Sequence, residues 1–488
     1  MIPAREVFRV SLNDRHPAPV PQMDELLTLS ATALARRIRS GQLSSMEAVD
    51  AHIGRIQAVN GHLNAVVAER FAEARREALA ADRLRASGAE LPPFHGVPCT
   101  VKECFALEGM PQTGGLVARK GYLAPADAPA VSRLRAAGAV VLGVTNLSEL
   151  CMWMESSNRV YGRTSNPYAL DRTVGGSSGG EGAIVGAGGS PFGLGSDIGG
   201  SIRMPAFFNG VFGHKPSSGL VPNEGQHPVA ENKALDYLCT GPICRRAEDL
   251  LPLLEVLSAR RIGPAPTDLK GLRVLCIPDD GLLSVDPGLQ RVQNQAADWL
   301  SASGAVVEHA RFPELRNSVE MWSALLAESG GTTFEDLLFE GGRRSLALAF
   351  LRWSLGGGPH TLPALALAGI ERLNGVFAGR LARFAEEARV FRRKLSARIG
   401  NGVFLYPSHA VPAPKHGRSL LFPVRWAYTA ILNVMEFPVT QVPLGLSSDG
   451  LPLGVQVGAV HGCDALTIGV ASLLEREFGG WKPPVLQA

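Results

Sequence analysis

Two short apolar stretches set the architecture of this chain: FHGVPCTVKE at residues 94–103 and AGAVVLGVTN at residues 137–146. Both contain β-branched residues and are punctuated by glycine or proline, which is typical of strands buried in a sheet. The segment APAVSRLRAA between them, at 128–137, fits a helix. The order strand, helix, strand predicts an α/β fold with a mainly parallel sheet.

The same alternation continues on both sides of this unit. Residues 24–86 are predicted to form helices, with a capping box at Ser44 and Glu47 and a long Ala-rich helix over 66–87. Downstream, apolar periodicity predicts further elements: helices at 245–260 and 288–303, and strands at 272–277, 305–310, 402–408 and 451–459.

Residues 315–400 are rich in Leu, Ala and Arg and are predicted to form a helical insertion or lid. Its last helix carries an apolar stripe at three- and four-residue steps, formed by Phe377, Leu381, Phe384, Phe391 and Leu395. No linker or internal repeat divides the chain. We therefore predict a single domain over residues 1–488 with four parts: N-terminal helices (24–86), a core (90–310), the insertion (315–400) and a C-terminal part of the core (401–480).

Composition excludes several classes of protein. The chain has 488 residues, 45% of them hydrophobic and 19% charged, which predicts a folded protein with a large core. A net charge of +3 argues against bulk binding of nucleic acid. The seven cysteines show no C-x-x-C pair, which favours reduced thiols over disulfides or zinc. With no signal-peptide pattern and no run of about 18 apolar residues, we expect a cytoplasmic protein, at most in peripheral contact with a membrane.

Two glycine-rich motifs, GGSSGGEG (175–182) and GSDIGGSIRMP (195–205), are candidates for a functional site. Tight turns and nucleophilic catalysis by a serine beside backbone N–H donors explain them equally well, whereas a phosphate loop fits poorly. Residues 175–179 also match the G-x-S-x-G pattern of α/β-hydrolases. That interpretation is disfavoured because residues 166–174 resemble a loop and not a strand.

Lys102 lies at the end of an apolar strand, in GVPCTVKE. The ordinary interpretation is a lysine whose amine reaches solvent. The alternative is a buried amine that is neutral often enough to act as a base.

In combination, these motifs are specific. GVPCTVKE, GGSSGG with its first serine 75 residues after Lys102, and GGSIRMP with its serine 24 residues further on resemble the amidase signature family. GGSSGGEG, SDIGGSIRMPAFFNGVFGHKPS and FLYPSH are similar to its fatty-acid amide hydrolase branch, especially the second vertebrate form. The resemblance runs from about residue 30 to 480. It implies a large mixed, mainly parallel sheet with helices on both faces, and chemistry without metal or cofactor.

The resemblance also implies roles for individual residues. Ser201 matches the nucleophile, Ser177 a bridging serine in a cis peptide bond with Gly176, and Lys102 the base. Further positions match supporting roles: backbone donors of an oxyanion hole at Ile198, Gly199, Gly200 and Ser201, supporting residues Ser178 and Arg203, and an acyl-pocket wall at Cys151 and Met152.

We therefore expect an amidase that cleaves apolar fatty-acid or aryl acyl amides through an acyl-Ser201 intermediate. Apolar residues 151–153 and the insertion segment 345–368 favour such substrates, although that segment fits core best, with a lid or a membrane-contact patch as the alternatives. One rival is a glutamine-hydrolysing subunit of an aminoacyl-tRNA amidotransferase, which needs a partner subunit and a cationic clamp. A second rival is a non-catalytic protein that binds membranes or partners. The sequence leaves open the physiological substrate and whether the protein is a homodimer.

Overall fold

The computed structural model describes residues 24–342, 345–374 and 378–486. The strands are β1 (Val66–Glu69), β2 (Pro98–Lys102), β3 (Val140–Thr145), β4 (Ser157–Asn158), β5 (Gly162–Arg163), β6 (Phe192–Asp197), β7 (Phe212–Lys215), β8 (Cys239–Cys244), β9 (Arg273–Cys276), β10 (Val306–His309), β11 (Val403–Tyr406), β12 (Val439–Leu446) and β13 (Pro452–Gly458). The helices are α1 (Ala31–Ser40), α2 (Ser45–Leu63), α3 (Phe71–Ala86), α4 (Pro129–Ala136), α5 (Gly179–Gly186), α6 (Arg203–Phe208), α7 (Ala234–Tyr237), α8 (Leu250–Ser258), α9 (Pro287–Ala302), α10 (Ser318–Ser329), α11 (Phe334–Leu338), α12 (Leu346–Ser354), α13 (Leu362–Asn374), α14 (Ala378–Ile399), α15 (Ala427–Val434) and α16 (Asp464–Phe478).

The predicted large mixed sheet is confirmed, with helices packed against it. It has 11 strands in the order β1-β3-β2-β6-β8-β7-β12-β13-β11-β9-β10. Parallel pairing occurs in two blocks, β3-β2-β6 near one edge and β11-β9-β10 at the other. The strands between these blocks pair antiparallel, which the sequence pattern did not indicate.

The helix predicted over residues 66–87 is wrong at its beginning. Val66–Glu69 instead form β1, which pairs antiparallel with β3 at the edge of the sheet, and the helix starts only at Phe71. Val66 is buried against this neighbour. Two consecutive valines favour a helix only weakly, and pairing with the neighbouring strand outweighs that preference.

The other local signals correspond closely to the structure. The capping box is confirmed, because Ser44 Oγ accepts from the Glu47 N–H at 3.0 Å and Glu47 Oε2 accepts from the Ser44 N–H at 2.8 Å. In the apolar stripe of the insertion, Phe384, Phe391 and Leu395 are buried, while Phe377 lies outside the described residues.

The parallel block β3-β2-β6 positions the candidate site. Lys102 is the last residue of β2 and Asp197 the last of β6, and these two strands are parallel neighbours. Their carboxyl ends therefore meet at one edge of the sheet, where ligands usually bind in open α/β sheets. Helix α5 begins directly after Ser178, and α6 begins two residues after Ser201, so both serine motifs are strand-to-helix or loop-to-helix turns.

The insertion is partly core and partly surface. Ala364, Leu365 and Ala368 of α13 belong to a small apolar cluster separate from the main core. Leu351 and Leu355, on or just after α12, are exposed. Within the described part of the chain, no helix is both long enough and apolar enough to cross a membrane.

Candidate active site

Lys102 is completely buried, although it carries an amine. Its Nζ donates to Ser177 Oγ at 2.7 Å and to Ser196 Oγ at 3.0 Å. A buried amine needs such partners because an unsatisfied polar group costs free energy in an apolar interior. The interpretation of Lys102 as a strand-end lysine in solvent is therefore wrong, and the structure brings Lys102 and Ser177 into direct contact.

Ser177 lies in a tightly held turn before α5. Its peptide bond to Gly176 is cis, as the resemblance implied. Ser156 Oγ donates to the Ser177 carbonyl at 3.1 Å and accepts from the Gly179 N–H at 2.9 Å. A Cβ on Gly176 would lie 2.2 Å from the Trp153 carbonyl oxygen, so this position requires glycine.

Ser178 connects this turn to the strand that carries the second motif. Its Oγ donates to the Ser196 carbonyl at 3.2 Å, and its N–H donates to the Ser201 carbonyl at 3.2 Å. The two serine motifs, distant in sequence, are thus fastened together by backbone and side-chain hydrogen bonds.

Residues 198–201 form what we call the oxyanion loop. Three of its carbonyls accept hydrogen bonds from residues outside the loop. Ile198 O accepts from Trp322, Gly199 O from Thr429 and Gly200 O from the Met204 N–H. In a planar trans peptide the N–H points opposite to the C=O, so these contacts also fix where the N–H groups point. Gly200 has φ +115°, and a Cβ there would lie 2.0 Å from Thr429 Oγ1.

One predicted donor of the oxyanion hole is already paired. The Gly200 N–H donates to Asp197 Oδ1 at 2.7 Å. Asp197 Oδ2 also accepts from the Ile202 N–H at 3.0 Å, so this carboxylate holds the backbone in place at both Gly200 and Ile202. The N–H groups of Gly199 and Ser201 point away from Trp322 and Met204, which occupy the carbonyl sides of their peptides.

Arg203 holds Asp197 in place. Its guanidinium makes two contacts with the carboxylate, Nε to Oδ2 and Nη2 to Oδ1, both at 3.0 Å, and both side chains are fully buried. Burial alone raises the pKa of Asp197, but the Arg203 charge and its hydrogen bonds outweigh it and hold the pKa well below its usual range. Asn433 and Gln456 complete the shell of Arg203 at 2.6 Å and 2.8 Å.

A branched cavity has two arms that meet at Ser201. Cys151, Met152 and Ile198 line both arms beside this serine. The aromatic arm is lined by Met154, Met204, Trp322, Leu367 and Trp426. The loop arm contains Ser177 and is lined by Gln226, His227, Glu231, Phe334 and Leu337. The predicted wall residues Cys151 and Met152 therefore lie at the junction of the two arms.

Cys151 has an unusual environment. Its backbone is left-handed, with φ 59°, which is uncommon outside glycine. A hydrogen bond with the Cys104 thiol lowers the pKa of Cys151 to about 6 against the opposing effect of burial, and the Lys102 charge and Ser177 also favour the thiolate. The seven cysteines are all free.

Neither His214 nor His409 lines the cavity beside Ser201. Residues before Ser177 form irregular structure with isolated bridges and not a strand, as predicted. His214 is fully buried against Thr440 and Asp464, and His409 contacts the Val411 carbonyl. Within the described ranges, no cluster of three or more His, Cys, Asp or Glu could hold a metal.

Sequence reasoning missed the residues that support the motifs. Asp197 stands inside the quoted motif GSDIGGS, and its acidic charge beside Arg203 was a usable signal. Trp322, Trp426 and Thr429 lie far along the chain in segments without a motif, so only the folded chain shows that they touch the oxyanion loop.

The chain is similar to known amide hydrolases along most of its length. The amidase family model matches residues 47–468. Fatty-acid amide hydrolase 2-A of Danio rerio is 46% identical over 95% of this chain and 91% of that protein. Fatty-acid amide hydrolase 2 of Homo sapiens is 44% identical over 96% of this chain and 92% of that protein. The structure of 6-aminohexanoate cyclic dimer hydrolase complexed with substrate matches with a TM-score of 0.77 and 29% identity, over 94% of this chain and 100% of that one.

The fold and these relatives define a hydrolase that acts on amide C–N bonds. The chain belongs to the amidase family, known as the amidase signature family, which its serine motifs indicated.

Proposed function

We propose that the protein cleaves apolar carboxylic amides through an acyl-enzyme on Ser201, with Ser177 and Lys102 as its proton relay. The observation that carries the proposal is the 2.7 Å contact between Lys102 Nζ and Ser177 Oγ, buried beside the cavity that Ser177 and Ser201 both line. A serine hydroxyl is a weak nucleophile until a base removes its proton.

The proposed cycle begins with Lys102 as a neutral amine. Ser201 Oγ attacks the amide carbon while its proton passes to Ser177 and the Ser177 proton passes to Lys102 Nζ. The negative charge moves to the former carbonyl oxygen, which we place against the Gly199 and Ser201 N–H groups. Preorganised donors of this kind commonly supply the largest part of a hydrolase's rate enhancement.

Collapse of the tetrahedral intermediate breaks the C–N bond. The relay runs in reverse: Lys102 returns its proton to Ser177, which protonates the leaving nitrogen, and the amine departs. A water molecule then replaces it and loses a proton through the same relay as it attacks the acyl-Ser201 ester. The products are a carboxylic acid and an amine, and Ser201 regains its proton.

The aromatic arm supports apolar substrates. Met154, Met204 and Leu367 combine with two tryptophans to give it an apolar surface beside the nucleophile. An acyl chain gains about 0.8 kcal/mol for each methylene that it buries there. The names of the two fatty-acid amide hydrolase relatives support fatty-acid amides as the substrate class.

Glutamine is a poorer fit to this cavity. Its α-carboxylate would require a cationic partner, and among the described residues that line the two arms there is no arginine or lysine. Glu231, which lines the loop arm, is itself acidic and would repel the carboxylate of glutamine.

The test combines labelling with a substrate panel. A fluorophosphonate should form one adduct, located on Ser201 by mass spectrometry, and Ser201→Ala should lose both labelling and turnover while keeping its melting temperature. Turnover should increase from acetamide through an anilide to oleamide. An adduct on Ser177 or Cys151 would refute the assigned nucleophile, and faster hydrolysis of glutamine than of oleamide would favour the amidotransferase subunit.

A further inference from the structure

The oxyanion loop is anchored by a residue outside the core that carries the serine motifs. Trp322 lies on α10, in the helical insertion, and its indole Nε1–H donates to the Ile198 carbonyl at 2.8 Å. The side chain is nearly inaccessible to solvent, with 9% of its surface exposed. A hydrogen bond that is partly shielded from water fixes its partner more firmly than a fully solvent-exposed bond.

The same indole ring packs directly against the loop. Trp322 and Trp426 meet edge to face, with ring centroids 4.6 Å apart and an interplanar angle of 85°. A Cβ added to Gly199 would lie 3.2 Å from the Trp426 ring and 3.5 Å from the Trp322 ring. The two rings therefore form a wall against the backbone of Gly199, and both also line the aromatic arm.

Peptide planarity connects this anchor to the chemistry. The Ile198 carbonyl and the Gly199 N–H belong to one peptide unit and point in opposite directions. Holding the carbonyl on the Trp322 side therefore holds the N–H on the other side. Thr429 Oγ1 fixes the following peptide by donating to the Gly199 carbonyl at 2.9 Å.

We propose that Trp322 is a positioning residue for amide hydrolysis: its indole N–H orients the Ile198–Gly199 peptide so that the Gly199 N–H donates to the oxyanion. This inference rests on the proposed function of Ser201. It assigns the helical insertion a part in the chemical step, through one hydrogen bond, in addition to its part in the cavity wall.

The experiment separates the N–H from the ring. Trp322→Phe keeps an aromatic wall but removes the N–H donor. We therefore expect kcat for an anilide to fall about tenfold while KM changes less than about twofold. This loss in kcat is smaller than that from deleting an oxyanion donor itself. The inhibition constant of a trifluoromethyl ketone, which forms a tetrahedral adduct, should rise by the same factor. The dissociation constant of the carboxylic acid product should stay at the wild-type value.

A second variant protects the test against a change in packing. Replacing Trp322 with benzothienylalanine keeps the bicyclic ring and exchanges only the N–H for sulfur, and it should reproduce the loss in kcat. Trp426→Phe is the matched control, because that ring also packs on Gly199, whereas the hydrogen bond to the Ile198 carbonyl comes from Trp322. It should change binding of the substrate and of the trifluoromethyl ketone by equal factors.

The outcomes are distinct. If both Trp322 variants retain wild-type kcat and ketone affinity, or if only KM rises, Trp322 is merely a wall of the aromatic arm and the inference is overturned. If the wild-type protein itself neither hydrolyses amides nor forms a Ser201 adduct, the proposed function fails, and the inference fails with it. A parallel loss of kcat and ketone affinity with unchanged product binding supports the positioning role.

Discussion

At the scale of single residues, the site divides into positions that local motifs revealed and positions that they could not. Lys102, Ser177 and Ser201 stand in unusual short sequences, and the structure gathers them around one cavity. Trp322 is separated by 124 residues from its partner Ile198, and Thr429 by 230 residues from Gly199. Contacts over such distances leave no periodic or compositional signal in the sequence.

Cys151 provides a prediction at this scale. Because the Cys104 hydrogen bond and the Lys102 charge lower its pKa to about 6, its thiolate should persist down to that pH, whereas an ordinary thiol loses it below about 8.5. Alkylation by iodoacetamide should therefore reach its half-maximal rate at a lower pH than that of an ordinary thiol, and it should block turnover because Cys151 adjoins Ser201. Mass spectrometry of the labelled peptide gives the rate.

Cys463 is the internal control for this measurement. It is partly exposed like Cys151, but burial and the neighbouring Asp464 raise its pKa. Its alkylation should continue to increase beyond pH 9 in the same samples. Equal pH profiles for the two cysteines, or a Cys151→Ser variant that is still inactivated, would contradict the assignment.

At the scale of elements, periodicity predicted most helices and strands but not their pairing. The parallel unit of β2, α4 and β3 follows from the alternation of buried strand and helix, and it is present. The antiparallel strands at the centre of the sheet depend on which neighbour each strand meets, which local pattern does not encode. The same reason explains why residues 66–69 became a strand: its partner β3 lies more than 70 residues away.

The insertion gives a prediction about elements. Leu367 on α13 lines the aromatic arm, whereas Leu355, after α12, is 77% exposed. Leu367→Glu should raise KM for long-chain amides far more than for acetamide, because each methylene that can no longer be buried costs about 0.8 kcal/mol. Leu355→Glu, the matched control, should leave KM for both substrates unchanged. Equal losses for oleamide and acetamide in Leu367→Glu would mean that α13 is only core.

At the scale of the whole molecule, the site joins the two halves of the sheet. Arg203 reaches Gln456 on β13, 253 residues away, while Lys102 comes from the N-terminal parallel block. The same arrangement buries several carboxyl groups deep between elements. Glu181, on the first turn of α5, accepts hydrogen bonds from Thr100 Oγ1 at 2.6 Å and Thr145 Oγ1 at 2.9 Å, and its side chain lies against Gly193 of β6.

Glu181 makes the stability of the fold depend on pH. Burial raises its pKa to about 8, although the two threonine hydroxyls and the Lys102 charge oppose the shift. In the unfolded chain a glutamate loses its proton near pH 4.3, so between about pH 4.3 and 8 the folded protein binds a proton that the unfolded chain has released. The stabilisation from this proton is complete below about pH 4.3, decreases steadily as the pH rises towards 8, and is absent above pH 8.

Glu181→Gln isolates this contribution, since an amide of the same shape binds no proton. Relative to wild type, the free energy of unfolding of the variant should improve by about 1.4 kcal/mol for each pH unit between 5 and 8, and other buried carboxyls cancel in this difference. Urea unfolding of both proteins across that range measures it. Glu103→Gln is the control, because burial raises the pKa of Glu103 to about 7. The gain in its free energy of unfolding relative to wild type should therefore stop increasing at about pH 7. Parallel stability curves for wild type and Glu181→Gln would show that the folded protein does not raise the pKa of Glu181.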